Sequence, residues 1–333
     1  LNNKTLRFAL IAIVFVFALV GVHKTFLAVQ YFYTKHWIEK VESTRKFDPD
    51  LWYYADGGKP LFLVNSKNTA TLFFLEGFRT QSPSGMYESF FRELFEKHGI
   101  NIVAPVYGLQ SSPFQLRNRD WNFREDLRTA TQVYDAFAAN IPNSHRIITV
   151  GQSFGALPIM AILAKAQRRP DAAIFLSPLN SALEFRASGD LAFWLSKQAQ
   201  WLQYFMLFAE TATPPTRASP WDIVNHEINK KILARNDGNP EDSVRYGVQS
   251  EEAGNWMEAN LLPQVHNYPI SIFYGDSDLY FADRGFQNLA NLLTQNGNRV
   301  AVSKLPNSGH MVLLDNQAEL VRRGIFASLK SEK

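Results

Sequence analysis

A serine between two glycines, an aspartate after a later apolar run and a histidine after the last such run are the residues that could do chemistry here. Gly151-Gln-Ser153-Phe-Gly155 directly follows the apolar run Ile147–Val150 and precedes a segment of helical pattern that begins at Ala156. A serine on a sharp strand-to-helix turn holds its hydroxyl clear of the backbone. Glycines two residues to either side let the strand and the helix approach without side-chain clash. The N-terminus of the new helix also turns its free amides toward developing negative charge. The five-residue pattern alone is weak, since on the order of one chain in ten carries it by chance. Its position between strand and helix is what makes it a candidate nucleophile.

Such a serine is inert at its own pKa and needs a base held in one tautomer by an acid. The acid is expected at a strand end and the base in a loop after the final strand. Pro269–Tyr274 runs into Gly275-Asp276-Ser277-Asp278, and Val300–Lys304 runs into Leu305-Pro-Asn-Ser-Gly-His310. Of the seven histidines, His310 alone has that placement. His98 and His145 precede strands, His23 and His36 lie near the N-terminus, and His226 and His266 show no metal-ligand spacing. For the acid, Asp278 is preferred to Asp276, with Asp283 third.

These groups need a scaffold of parallel strands. The strand expectations are 51–54, 60–64, 70–75, 100–105, 146–150, 172–176, 270–274 and 300–304, the first two joined by the hairpin signal Asp56-Gly57-Gly58. Helical periodicity fills 86–98, 124–139 and 156–167. Buried strands alternating with helices predict an α/β fold, with a mostly parallel eight-stranded sheet covered on both faces. Residues 180 to 268 break the rhythm and read as a helical cap or lid insertion between two parts of the core, 47–179 and 269–333. The insertion carries an aromatic helical stretch, Leu191 to Phe208, which either packs it onto the sheet or walls an acyl pocket.

The N-terminal 46 residues stand apart. From Phe8 to Val22 every residue is apolar or Gly, and the pattern resumes from Thr25 to Val29. As one helix, Phe8–Val29 would be about 33 Å long, enough to cross a bilayer core. No pair of small residues marks a cleavage site, and Tyr31, Phe32, Tyr33 and Trp37 form an interfacial aromatic cluster. The expectation is an uncleaved membrane anchor with the catalytic body extracytoplasmic, a cleaved secretory signal being the alternative. Lys4 and Arg7 support that orientation, whereas Lys24, Lys35, Lys40, Arg45 and Lys46 oppose it.

Composition removes other classes. With no cysteine there is no disulfide, thiolate zinc site or cysteine nucleophile. A formal net charge of +3 without a long basic run gives no reason to expect nucleic acid. No cofactor is expected, because protein groups supply nucleophile, base and acid. Nothing in the sequence speaks to oligomeric state.

The chain resembles the α/β-hydrolase superfamily, and within it the monoacylglycerol lipase, lysophospholipase and serine-aminopeptidase-like group, over about residues 50 to 325. The resemblance rests on the serine elbow, on Leu72-Phe-Phe-Leu-Glu76-Gly77-Phe78 leading to Ser84-Gly-Met-Tyr87, and on Gly99 to Pro105. It implies Ser153, Asp278 and His310 as the triad and the backbone amides of Phe78 and Phe154 as the oxyanion hole. It also implies an insertion at 180–268. The expected substrate is a small, lipid-like monoacyl ester, supported by the order of the three residues, the aromatic insertion and the apolar N-terminal segment. Two positions depart from the group. Glu76 replaces its histidine, where bracing of the loop is the expected role, and Val106 to Ser112 replaces its Asp and Gly-x-Gly-x-Ser run. A peptidase of the same fold would need an acidic anchor, for which Glu184, Glu210 and Glu251-Glu252 are weak candidates. A non-catalytic membrane-anchored binding protein is disfavoured by the complete set of three.

Overall fold

The structure, a computed structural model, describes residues 60–77, 87–105, 107, 123–181, 224, 244–278 and 280–330. Seven strands form one sheet: β1 (Leu61–Leu63), β2 (Ala70–Leu75), β3 (Ile100–Ala104), β4 (Arg146–Gln152), β5 (Ala172–Leu176), β6 (Pro269–Gly275) and β7 (Arg299–Leu305). Their order is β1-β3-β2-β4-β5-β6-β7. β1 runs antiparallel to β3, and every other pairing is parallel. The sequence reading expects eight strands; among the described residues there are seven, and the expected strand at 51–54 lies outside them.

Strands β2 to β5 are buried almost throughout because both faces are covered, whereas β7 is largely exposed. Successive residues of β2 alternate between two cores. Phe73 and Leu75 join one, with α2 (Phe123–Ala138), α3 (Ala156–Lys165), α4 (Val244–Asn260) and α5 (Asp283–Gln295). Leu72 and Phe74 join the other, with α1 (Glu88–His98) and α6 (Ala318–Lys330). That two-residue period is the pleat itself. Phe74 sits edge-on to Tyr87 and Phe91, with centroids 5.3 and 5.1 Å away.

The strand order fixes where a site can form. From β2 the chain steps outward to β3 and then returns to the other side of β2 to make β4. The carboxyl ends of β2 and β4 therefore flank a topological switch point, the place where open α/β sheets leave a crevice. β2 ends beside Glu76, and β4 ends at Gln152, just before Ser153. His145 lies at the opposite ends of the strands, its Nε2 2.7 Å from Thr71 Oγ1. Burial and the nearby Arg168 hold its pKa below the usual histidine range.

The insertion is described only in part, through Val224 and through α4 with the short 3-10 turn Leu262–Gln264. The aromatic stretch 191–208 and residues 1–59 lie outside the described residues. Among the described residues no helix is long and apolar enough to cross a membrane.

Candidate active site

Strand β4 passes into a single 3-10 turn, Ser153–Gly155, and then into α3. At the head of that turn Ser153 has φ 49°, in the left-handed region that a side chain rarely adopts. The flanking glycines are there for space. A Cβ on Gly155 would lie 2.1 Å from the Leu75 carbonyl oxygen and 2.6 Å from that of Glu76. A Cβ on Gly151 would lie 2.7 Å from the Gly155 carbonyl oxygen. The elbow is thus clamped between its own helix and the end of β2. The Ser153 carbonyl also accepts the Leu179 amide at 2.9 Å.

His310, the expected base, follows β7, and Asp278, the expected acid, follows β6. His310 Nδ1 is 2.8 Å from Asp278 Oδ2, and the side chains are 8% and 1% exposed. The other oxygen, Oδ1, accepts the Tyr280 and Phe281 amides at 2.9 and 3.2 Å. An ionised carboxylate only accepts, so the proton of the pair resides on Nδ1 and Nε2 is left as the accepting nitrogen. Rings of Tyr280 and Phe281 flank the imidazole, with centroids 4.9 and 5.6 Å away.

The other two acids face elsewhere. Asp276 is exposed and accepts the Ser277 hydroxyl at 2.9 Å. Asp283 starts α5, accepts the Tyr274 hydroxyl and pairs with Lys304 at 3.1 Å.

The elbow and the histidine loop are joined through the residues next to Ser153 and His310 in the chain. Gln152 Nε2 donates to Met311 Sδ at 2.8 Å, and Tyr87 donates its hydroxyl to Gln152 Oε1. All three are buried. Gln152, next to Ser153 in the chain, therefore touches Met311, next to His310. Sequence reasoning missed this contact. It links positions 159 residues apart, which no spacing could reveal.

Of the expected oxyanion donors, Phe154 lies buried within the 3-10 turn, whereas Phe78 is outside the described residues. Glu76 is 3% exposed, and its carbonyl accepts the Tyr107 hydroxyl at 2.8 Å. The end of β2 is therefore braced by Tyr107.

The family model described as Alpha/beta hydrolase family matches residues 77–323. A structure described as LipS and LipT, two metagenome-derived lipolytic enzymes, is 16% identical, with 83% of this chain and 98% of that chain covered at a TM-score of 0.57. A soluble variant of monoglyceride lipase from Saccharomyces cerevisiae is 12% identical, with 81% and 89% covered and a TM-score of 0.58. A Paleococcus ferrophilus monoacylglycerol lipase is 14% identical, with 81% and 98% covered at 0.54. At such identities the likeness is one of fold. No curated protein sequence matches. With its elbow at the switch point of the sheet and the family model spanning both halves of the site, this chain belongs to the alpha/beta hydrolase family.

Proposed function

We propose that this protein is a serine hydrolase that cleaves carboxylic esters, lipid-like monoacyl esters in particular, with Ser153 as nucleophile, His310 as general base and Asp278 as the orienting acid. The observation that carries the reading is the buried hydrogen bond between His310 and Asp278, beside a loop tied to the serine elbow through Gln152 and Met311.

In the reaction, His310 Nε2 removes the hydroxyl proton as Ser153 Oγ attacks the ester carbonyl carbon. The imidazolium then returns that proton to the departing alkoxide, leaving an acyl-enzyme and free alcohol. Water, deprotonated by the same nitrogen, attacks the acyl carbon and releases the acid. The proton passes back to Ser153. Asp278 stabilises the imidazolium throughout and fixes its ring. The negative oxygen of each tetrahedral intermediate is held by the amides of Phe78 and Phe154, each donor contributing about 10²–10³ in rate.

Lipid-like acyl groups are favoured by the aromatic character of the sequence at 191–208 and by the apolar segment Phe8–Val29. Similar solved structures include monoglyceride lipases. A series of p-nitrophenyl esters of increasing acyl length, run against aminoacyl anilides, tests the substrate class. Ester turnover that rises with chain length, without anilide cleavage, is expected. Faster cleavage of an anilide than of every ester would move the reading to a peptidase.

The same apolar segment is proposed as a membrane anchor. Mass spectrometry of the mature protein should then find the segment retained. A mature chain that begins beyond residue 22 would exclude the anchor.

A further inference from the structure

Five residues beyond the base stands a carboxylate that the mechanism does not use. Asp315 is 3% exposed. Its Oδ2 accepts the Gly309 amide at 2.7 Å and the Val224 amide at 2.8 Å, while Oδ1 accepts the Asn316 amide at 2.8 Å. Its carbonyl takes the Ala318 amide at 2.9 Å, at the entry to α6. Between Gly309 and Asp315, residues Met311, Val312 and Leu313 are buried against α1 and α6, so the chain from 309 to 315 forms a closed loop with His310 near its start. The hydrogen bond from Gly309 to Asp315 closes it.

Resting on the hydrolase reading, we propose that Asp315 is a positioning residue for His310. It fixes the peptide immediately before the base, and through the same oxygen it ties that peptide to the inserted segment at Val224. Hydrogen bonds to an ionised acceptor are roughly twice as strong as neutral ones, and an acceptor-only group is the one suited to three amide donors. An amide side chain cannot replace it. Asparagine offers a single acceptor oxygen, and its NH₂ would face at least one of the amides that Asp315 now accepts. The peptide before His310 would turn and the imidazole would leave its line to the nucleophile. A displacement of about 1 Å in such a group costs on the order of 10²-fold in rate.

The test is a double-mutant cycle on the full chain, with a p-nitrophenyl ester as substrate. Asp315→Asn should lower kcat by about 10–100-fold and leave KM within about threefold, because base placement matters in the transition state and not in ground-state binding. In the His310→Ala background the same substitution should change the residual rate by less than about twofold, since the two act as one unit. A purely structural role would lower the rate equally in both backgrounds, and that result overturns the proposal. If circular dichroism shows Asp315→Asn unfolded, Asp315→Glu goes through the same cycle. It keeps both acceptor oxygens on a longer arm and should show the same non-additivity. Fluorophosphonate labelling separates the two levels of failure. A wild type not labelled at Ser153 removes the hydrolase reading and this proposal with it. A labelled wild type with additive effects removes the proposal alone.

Discussion

Asp278→Asn is expected to lower turnover of an activated ester by about 10³–10⁴-fold, the scale set by loss of the orienting carboxylate in Ser-His-Asp enzymes. The side chain is 1% exposed, and among the described residues its hydrogen bonds are all from donors: His310 Nδ1 on one oxygen, the Tyr280 and Phe281 amides on the other. In asparagine those two amides claim the single oxygen, and the NH₂ is left facing Nδ1. Nδ1 must then become the acceptor, so the proton moves to Nε2, and the nitrogen that should take the serine proton already carries one. Binding of substrate is hardly touched, so the loss should fall on kcat. Asp276→Asn is the control, because that carboxylate is exposed and, among the described residues, meets only Ser277. It should leave kcat/KM within about twofold, as surface changes do. Steady-state kinetics on the pair decides the matter. Near-normal turnover in Asp278→Asn with an inactive Asp276→Asn would reverse the roles.

Gly275→Ala should be the second most damaging change, and its damage should concentrate on activity. A Cβ at this position would lie 2.0 Å from the Ser308 carbonyl oxygen and 2.2 Å from that of Gly309, both backbone atoms that no rotamer change can move aside. The two stretches are locked together here, with the Asp276 amide on the Leu305 carbonyl and the Ser277 amide on that of Ser308, each at 3.0 Å. Forcing them apart separates the turn that carries Asp278 from the loop that carries His310. Overpacking of this kind costs about 1–3 kcal/mol in stability, whereas the displaced pair should cost about 10²-fold or more in kcat/KM. Gly297→Ala makes a fair comparison. It sits at φ 80° with open space around it, 3.7 Å from Asn267 Oδ1. It should cost about 1 kcal/mol through backbone strain and leave kcat/KM unchanged. Urea unfolding and kinetics on both variants test the contrast. Equal catalytic loss in the two would show that the damage at Gly275 is general.

Strands were legible in the sequence because their apolar runs are short and separated by helix-length segments, even at β7, which is largely exposed. The expected 70–75 and 172–176 coincide with β2 and β5, and 270–274 lies one residue inside β6 at each end. The elbow was legible because glycine spacing records a close approach of backbones, here Gly155 against Leu75 and Glu76. Spacing preferred Asp278 to Asp276 without excluding the latter, since both lie in one turn. Burial distinguishes them in the structure. Asp315, Gln152 and Met311 left no trace in the sequence, because a side chain that accepts backbone amides from distant segments carries no periodicity. Phe78 and the aromatic stretch 191–208 fall outside the described residues, so their roles rest on the sequence.

The most direct measurement is covalent labelling with a fluorophosphonate, followed by mass spectrometry of the modified peptide in the wild type and in Ser153→Ala. A serine hydroxyl activated by an imidazole attacks the phosphorus, displaces fluoride and keeps the adduct. The account predicts one adduct, on Ser153, and no labelling of the folded alanine variant. Labelling that persists in Ser153→Ala, or an adduct mapped to another residue, would contradict it.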